Sequence, residues 1–437
     1  MSILTATETE QRIKIEQLQP GVFIRLRDSW FDHPFLFNSL KIKTPAQIES
    51  LRKAGIAEVI YVPEKSDCQP LPLEQPRATP APPQKPAAPA PEDPVVKLLW
   101  QIKKERIEKL KEKQENLRKC IDNYNDTIQG IPDMMESMIS GSQEAVGNAK
   151  ILVTRIAAKF LTDDDSVMHL MAIKETEESI YHHSLNVSVL ALMLGAKAGL
   201  SPIELRDLGM GALFHDIGKS KIDNKVLKKA PPLTKAEQNL IHLHPRYGVE
   251  IVAKGNDFPK NAALAILQHH EQYDGMGYPR HMKGEEISKL ARIISIVNLY
   301  DTLCNDVDPK KAMNPYQALS FMYTKWKKAL DPELVTLFIR SLGVYPPGTP
   351  VMLSNGVIAL VMSVNPQNPM KPFLMLYDPD IPKSEAVMCE MEDLPEVTIE
   401  KSLRVENLPP EVCDYFNYTG KANYFVENIK GAGGGNV

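Results

Sequence analysis

Apolar residues in the middle of the chain recur at intervals of three and four, which is the spacing of one face of an α-helix. Five such stretches lie within residues 141–342, and they predict helices that begin near His183, Ser201, Thr234, Pro259 and Leu290. Their lengths are typical of a helical bundle, in which side chains from several helices point inward. The central region is therefore predicted to be nearly all helical.

The region before it, residues 1–66, has short alternating runs instead. They predict two strands around the turn Gln19–Pro20–Gly21, then a helix over residues 45–54 and a last strand in AEVIYV. Thr44 suits the N-cap of that helix, and Gly55 suits the position just after its end. These features predict a small α+β module.

Residues 67–94 are rich in proline and alanine and contain few large apolar side chains. Such a segment cannot bury a core, and its composition is typical of an extended linker. The N-terminal module is therefore expected to be tethered to the rest of the chain rather than rigidly fused to it.

Residues 95–130 predict one long charged helix with an apolar seam at alternating three- and four-residue steps. The seam consists of Trp100, Ile107, Leu110, Leu117, Ile121, Tyr124 and Ile128, and polar Lys103 and Gln114 share its register. Two interpretations fit this heptad pattern. The helix either packs on its own catalytic domain or forms a coiled coil across a homodimer.

Residues 343–437 return to short apolar runs, and Asn355–Gly356 between two of them is a hairpin signal. This region is predicted to be a small β-rich appendage with a disordered tail at GAGGGNV. The predicted fold class is therefore multidomain. It combines a mainly α-helical bundle at residues 131–342 with a small α+β N-terminal module and the β-rich appendage.

Composition and charge limit the kinds of partner and the cellular compartment that fit this chain. The chain has 437 residues, a formal net charge of −4 and a pI of about 6.2, which argues against nucleic-acid binding. No apolar run is long enough for a membrane span, and no signal peptide is evident at the N-terminus. The five cysteines are scattered, which argues against a disulfide framework and fits a reducing compartment. The protein is expected to be cytoplasmic.

Histidine is concentrated in one part of the chain, because nine of the ten histidines lie between His169 and His281. The densest stretch is LQHHEQYDGMGYP at residues 267–279, where His269 and His270 are adjacent. Neutral imidazoles with a carboxylate suit Fe, Mn or Zn better than Mg or Ca. His182 and His242 neighbour the candidate ligands and are expected at the surface or behind them.

Three motifs follow in a fixed order: FHDIGK with His215–Asp216, HPRYG with His244, and HHEQYDGMGYP with Gly277–Tyr278–Pro279. This order resembles the HD-GYP family of metal-dependent phosphohydrolases over roughly residues 141–342. The resemblance implies an HD-type helical bundle. It also implies hydrolysis of the bacterial second messenger cyclic di-GMP.

The resemblance further implies two divalent transition metal ions, with Fe or Mn expected. Asp216 would bridge them as the catalytic carboxylate. The remaining ligands would be His183 and His215 on the first ion, and His244, His269 and His270 on the second. Lys219, four residues after His215, would meet the scissile phosphate and stabilise developing charge, whereas the alternative is a solvated lysine.

The sequence departs from the family pattern at three places. Asn298, in IVNLYDTL, stands where the family has an aspartate as the last metal ligand, and Asp301 is a possible substitute. Ser179 occupies the place of a glutamate that supports a third ion in some members, so two ions are expected. The Arg-Tyr-Lys segment of many members is missing, and Lys310 and Lys311 are weak substitutes for its phosphate contacts.

The glycine-rich loop after His270 is the predicted substrate-binding or partner loop. Tyr278 is expected either to stack on a guanine or to dock a partner, such as a diguanylate cyclase-type protein, and a purely structural role is the alternative. Asp274 is expected to cap or orient the loop, while Gly275, Gly277 and Pro279 shape it.

Three functions remain open on the sequence alone. The first is a phosphodiesterase that opens cyclic di-GMP to pGpG and/or GMP. The second is a weakly active or inactive cyclic di-GMP receptor that acts through protein partners. The third is another HD-type phosphohydrolase that acts on nucleotides. The intact Gly277–Tyr278–Pro279 loop favours the first over the third, and Asn298 keeps the second open.

Overall fold

The described residues of this computed structural model fall into four stretches. They are 11–72 apart from 27–32, 34 and 36–38, then 94–160, 179–306 apart from 230, 231 and 256, and 311–416 apart from 366, 380, 382, 384, 385, 395 and 396. The chain divides into two compact units, Met1–Lys113 and Gln114–Val437. The predicted disordered tail lies outside the described residues.

The first unit contains a four-stranded antiparallel sheet. Its strands are β1 (Gln11–Lys14), β2 (Phe23–Arg25), β3 (Ser39–Lys41) and β4 (Glu58–Tyr61), in the order β1-β4-β2-β3. Helix α1 (Pro45–Lys53) begins after Thr44, as predicted, and Gly55 has a φ of 81° just beyond its end. Strand β3 was not predicted, because three residues are too few for an alternating pattern to show.

The predicted long helix is present as α2 (Pro94–Gln129). In the first unit the buried ammonium of Lys103 donates hydrogen bonds to the backbone carbonyls of His33 and Phe35. The first half of α2 and the N-terminal module therefore belong to one compact unit, although the sequence predicted a tether between them. The side chains of the middle seam positions lie outside the described residues, so the coiled coil stays a prediction.

The second unit is built mainly from helices, as the sequence predicted. They are α3 (Ile131–Ser140), α4 (Ala145–Phe160), α5 (Ser179–Lys197), α6 (Pro202–Leu213), α7 (Asn224–Leu227), α8 (Lys235–Ile241), α9 (His244–Val252), α10 (Lys260–Gln268), α11 (Lys289–Cys304), α12 (Pro315–Lys325) and α13 (Pro332–Leu342). A 3₁₀ helix follows α6 at Ile217–Lys221. Fully buried aliphatic side chains of α5, α6 and α11 fill the core.

Local sequence explains where several of these helices begin and end. Ser201 and Glu204 form a capping box at the start of α6, and Thr234 and Glu237 form another at α8. The stretch from Thr234 to Gly255 was predicted as one helix, but it is two, α8 and α9. Pro245 lies in the first turn of α9, where its missing N–H prevents a continuous hydrogen-bond ladder from α8.

The last part of the second unit is β-rich, as predicted. Strands β5 (Pro350–Leu353), β6 (Ile358–Ser363), β7 (Phe373–Leu376), β8 (Met388–Glu390) and β9 (Ile399–Ser402) form an antiparallel sheet in the order β8-β7-β6-β5-β9. The predicted hairpin joins β5 and β6, and Gly356 in its turn has a φ of 82°. A short helix α14 (Pro410–Tyr415) follows. Among the described residues, no helix combines the length and apolar character that a membrane span needs.

Candidate metal centre

The candidate ligands all lie near the ends of helices. His183 is near the start of α5, His215 and Asp216 follow α6, His244 begins α9, and the adjacent His269 and His270 follow α10. Helix ends allow two neighbouring side chains to face one cavity, as His215 with Asp216 and His269 with His270 do here. The turn after α6 approaches α9 closely, since a Cβ on Gly218 would lie 2.0 Å from the carbonyl oxygen of His244.

Asp216 lies between two groups of imidazoles. Its Oδ2 is 3.4 Å from Nε2 of His215 and 3.8 Å from Nε2 of His183. Its Oδ1 is 3.2 Å from Nε2 of His244 and 3.8 Å from Nε2 of His269. We call His183, His215 and Asp216 the first ligand set, and Asp216, His244, His269 and His270 the second. Within each set the candidate ligand atoms lie within 4.8 Å of one another.

The tautomers of these histidines leave bare nitrogens inside the cluster. In His215, His244 and His269, Nδ1 lies 2.7–2.8 Å from the carbonyl oxygen three residues earlier and can only donate to it. Each Nε2 therefore presents a lone pair. The bare Nε2 atoms of His244 and His269 are 3.2 Å apart.

Such a cluster of lone pairs fits bound cations. Facing acceptors repel each other unless a positive charge lies between them, and among the described residues the buried Oδ1 of Asp216 has no hydrogen-bond donor. Neutral imidazoles and one carboxylate are also the donor set that divalent transition metals prefer. The residues present therefore fit the metal ions that the sequence predicted, while the identity of the ions stays a prediction.

The protonation states agree with this arrangement. Burial lowers the pKa of His215 and lowers those of His269 and His270 further, so these imidazoles are neutral near pH 7. Burial alone would raise the pKa of Asp216. The ammonium of Lys219 and the neighbouring His215 outweigh it and hold that pKa well below its usual value. The shared carboxylate is therefore charged.

Lys219 contacts the metal centre directly. Its Nζ donates to Oδ2 of Asp216 at 2.5 Å, and its side chain is 31% exposed. Lys219 and His215 do not share one helix face, because α6 ends at Leu213 and Lys219 belongs to the 3₁₀ helix. The ammonium is nonetheless at the centre, with part of its surface open.

Asp301, a possible substitute ligand on the sequence alone, contacts the candidate ligand His183. Its Oδ2 is 2.7 Å from Nδ1 of His183, the nitrogen opposite the one that faces Asp216. It therefore orients a candidate ligand rather than substituting for one. Burial lowers the pKa of His183, but the hydrogen bond and charge of Asp301 outweigh it, and the net shift is upward. Asn298 is buried one turn earlier in α11, and its described hydrogen bond comes from Thr302 at 3.5 Å.

The Tyr278 ring is enclosed on both faces by histidines. Its centroid is 3.9 Å from that of His242 with 11° between the planes, and 4.7 Å from that of His270 with 20°. Neither face is open for a guanine base, which was one of the expected roles. His242, expected at the surface or behind the ligands, lies behind His270 with Tyr278 between them.

The rest of the loop holds Tyr278 in place. A Cβ on Gly277 would lie 2.2 Å from the backbone nitrogen of Gln272, so this position requires glycine. The Glu271 carboxylate accepts hydrogen bonds from the backbone N–H groups of Arg280 and Met282. The neighbouring peptide bond Tyr278–Pro279 is cis.

The remaining predicted residues of this loop are Asp274 and Gly275. Asp274 accepts a hydrogen bond from the backbone of Met276 at 3.0 Å, which orients the loop as predicted. Gly275 has a φ of 85°. Lys310 lies outside the described residues, and Lys311 is exposed.

Comparison with known protein families agrees with these motifs. A family model described as an HD domain matches residues 164–334, which include the Gly277–Tyr278–Pro279 loop. The chain belongs to the HD-GYP family. A second model, a domain of unknown function (DUF3391), matches residues 10–149 of this HD-GYP protein.

Several curated proteins resemble this HD-GYP protein. A cyclic di-GMP phosphodiesterase of Pseudomonas aeruginosa is 27% identical over 84% of this chain and 85% of its own length. A cyclic di-GMP phosphodiesterase response regulator of Xanthomonas campestris is 37% identical over 35% of this chain and 41% of its own length. A 3′3′-cGAMP-specific phosphodiesterase of Vibrio cholerae is 34% identical over 38% of this chain and 35% of its own length.

Proposed function

We propose that this HD-GYP protein is a dinuclear-metal phosphodiesterase that hydrolyses cyclic di-GMP to pGpG and/or GMP. The observation that carries the proposal is the position of Asp216, whose two oxygens face two separate groups of imidazoles. The relatives named as cyclic di-GMP phosphodiesterases support this choice of substrate.

The proposed metal ligands are those of the first and second ligand sets, with Asn298 as the last ligand of the first ion. When bound, a pair of divalent ions, Fe or Mn, supplies an activated water and neutralises charge on the phosphoryl oxygens. The Nδ1 hydrogen bonds keep each Nε2 lone pair aimed inward. The protein therefore presents its ligands without a tautomer change.

Lys219 supplies a fixed positive charge beside the reacting group. Its ammonium lies against Asp216 and remains partly exposed, so a phosphate bound there would meet it. A preorganised cation stabilises charge that develops on the phosphoryl oxygens, and it does so without reorganisation during the reaction. We assign it this catalytic role.

A cyclic di-GMP receptor with weak activity is the second candidate function, and Asn298 favours it. An asparagine offers a neutral oxygen where the family has a charged aspartate, so it neutralises less of the metal's charge. The exposed tip of the loop, where Met276 is 78% exposed, is the proposed surface for a diguanylate cyclase-type or other signalling partner. The cytoplasmic location and the homodimer through α2 are further proposals.

The test begins with protein purified without oxygen and analysed for Fe and Mn. Hydrolysis is then followed with cyclic di-GMP, 3′3′-cGAMP and pGpG, which separates the two cyclic dinucleotides and shows whether the linear product is cut again. Two ions per chain and preferred hydrolysis of cyclic di-GMP are expected. Tight binding of cyclic di-GMP without turnover in the two-ion protein would favour the receptor, and preference for 3′3′-cGAMP would contradict the proposed substrate.

A further inference from the structure

A chain of buried hydrogen bonds leads from the candidate metal ligand His183 to helix α2. Nδ1 of His183 is 2.7 Å from Oδ2 of Asp301, and Oδ1 of Asp301 accepts from Nδ2 of Asn186 at 3.0 Å. Oδ1 of Asn186 in turn lies 2.9 Å from the hydroxyl of Tyr124. Tyr124, Asn186 and Asp301 are 0%, 4% and 2% exposed.

The chemistry of these groups fixes the direction of each hydrogen bond in this chain, beside which the Tyr124 hydroxyl also lies 3.1 Å from Nδ1 of His182. The Asp301 carboxylate can only accept, so the amide nitrogen of Asn186 must face it. The amide oxygen of Asn186 then faces Tyr124, whose hydroxyl must be the donor. The same carboxylate requires a hydrogen on Nδ1 of His183. Nε2 of His183 is thereby turned toward Asp216 and His215.

Apolar packing does not explain this arrangement. Tyr124 belongs to α2, Asn186 to α5 and Asp301 to α11, so three separate helices each place a polar group in the interior. A buried polar group destabilises the fold unless it is hydrogen-bonded, and a fully bonded network specifies one arrangement of its members. The carboxylate of Asp301 also accepts from Nδ2 of Asn305 at 2.7 Å, so both of its oxygens have hydrogen-bond partners.

We propose that Tyr124 is a positioning residue for the metal centre. Acting through Asn186 and Asp301, its hydroxyl holds the His183 ring with Nε2 toward the first ion. The inference rests on the proposed role of His183 as a metal ligand. Groups that orient metal ligands typically contribute 10–100-fold to metal affinity. Helix α2, which begins in the other compact unit, thereby takes part in building the first ligand set.

The test compares Mn²⁺ binding by metal-free, full-length protein before and after removal of one hydroxyl. The wild-type chain is expected to bind two Mn²⁺ in anaerobic titration calorimetry. Tyr124→Phe keeps the ring and should weaken one of the two sites about 10–100-fold while leaving the other within about threefold. Thermal unfolding shows whether the variant is folded under the conditions of the titration.

A matched control removes another buried hydroxyl of the same helix. Thr127 is 5% exposed, and its Oγ1 donates to the carbonyl oxygen of Asn123 at 2.6 Å, outside the chain that leads to His183. Thr127→Val should therefore leave both Mn²⁺ affinities unchanged. An equal loss in Thr127→Val and Tyr124→Phe would overturn the proposal, because it would point to a general effect on α2.

A double-mutant cycle tests whether Tyr124 acts through Asn186. Asn186→Ala should weaken the same site, and adding Tyr124→Phe should weaken it no further. Additive losses, or wild-type affinities in Tyr124→Phe, would overturn the positioning role while leaving the proposed metal site intact. A wild-type chain that binds no Mn²⁺ would overturn the proposed function and this inference together.

Discussion

The two halves of the candidate metal centre are oriented in different ways. In the second ligand set, His244 and His269 donate to carbonyl oxygens three residues earlier, and Tyr278 covers His270 from a loop eight residues on. In the first ligand set, His183 depends on Asp301, which is 118 positions away in the sequence. The second set is therefore oriented by local contacts, whereas the first combines the locally oriented His215 with His183, which depends on a distant helix.

This difference has a consequence for metal affinity. The second set offers three imidazoles and one oxygen of Asp216. The first offers two imidazoles and the other oxygen, with the neutral Asn298 as its proposed further ligand. Fewer strong donors and a longer chain of supporting contacts both weaken the first set. We therefore expect the ion at His183 and His215 to be the more loosely bound one.

The largest effect on metal binding and hydrolysis is expected for Asp216, which both ligand sets share. Asp216→Ala removes the carboxylate that both sets share, so metal analysis should find neither ion and hydrolysis should fall to background. Asp207→Asn is the matched control, because Asp207 is 4% exposed and bonds to Arg206 and Asn261 in another part of the bundle. Two retained ions with full turnover in Asp216→Ala would disprove the shared ligand.

Lys219→Ala should separate the charge of the centre from its metal content. Both ions should remain, while hydrolysis falls by about 10²–10³, the usual cost of losing a preorganised charge contact. Lys221→Ala is the control, since Lys221 lies in the same 3₁₀ helix but pairs with Glu250 at 2.6 Å. A wild-type rate in Lys219→Ala would return Lys219 to the role of an ordinary lysine on the protein surface.

Variants of Tyr278 test the second ligand set alone. A stacked aromatic pair contributes about 0.5–1.5 kcal/mol beyond its buried area, so Tyr278→Ala should weaken the second ion up to about tenfold by freeing His270. Tyr278→Phe retains both stacks and should bind metal like the wild type. If Tyr278→Ala instead raised KM and left metal affinity unchanged, the ring would contact substrate after all.

The contrast between local and long-range contacts also explains which parts of this site the sequence predicts. The candidate ligands that follow α6 and α10 could be predicted because their motifs, FHDIGK and HHEQYDGMGYP, are compact. The partners of His183 could not be found, because Asn186 and Asp301 are 115 positions apart and only the packing of α5 on α11 joins them.

Two details of the fold could not be predicted from the sequence for a different reason. Apolar periodicity continues across residues 234–255, so the break between α8 and α9 is visible only through Pro245, which also suits the first turn of a helix. Tyr124 satisfied the heptad pattern of α2, and its burial gave no sign in the sequence that its hydroxyl has a partner.

Asn298→Asp is expected to have the smallest effect, and it acts on the first half alone. A charged oxygen in place of a neutral one should raise occupancy at His183 and His215 by a few-fold, since it neutralises more of the metal's charge. Metal analysis at limiting Mn²⁺ measures this. Asn148→Asp is the control, because Asn148 is exposed on α4 and gains the same charge without being a proposed ligand.

The direction of the rate change in Asn298→Asp then separates the two candidate functions. A gain from a nearly silent wild type would support a receptor derived from an enzyme. A loss from an active wild type would mean that the site is adjusted to asparagine. If neither metal content nor rate changed, the hydrogen bond with Thr302 would be the main role of Asn298, and α11 would contribute to the centre only through Asp301.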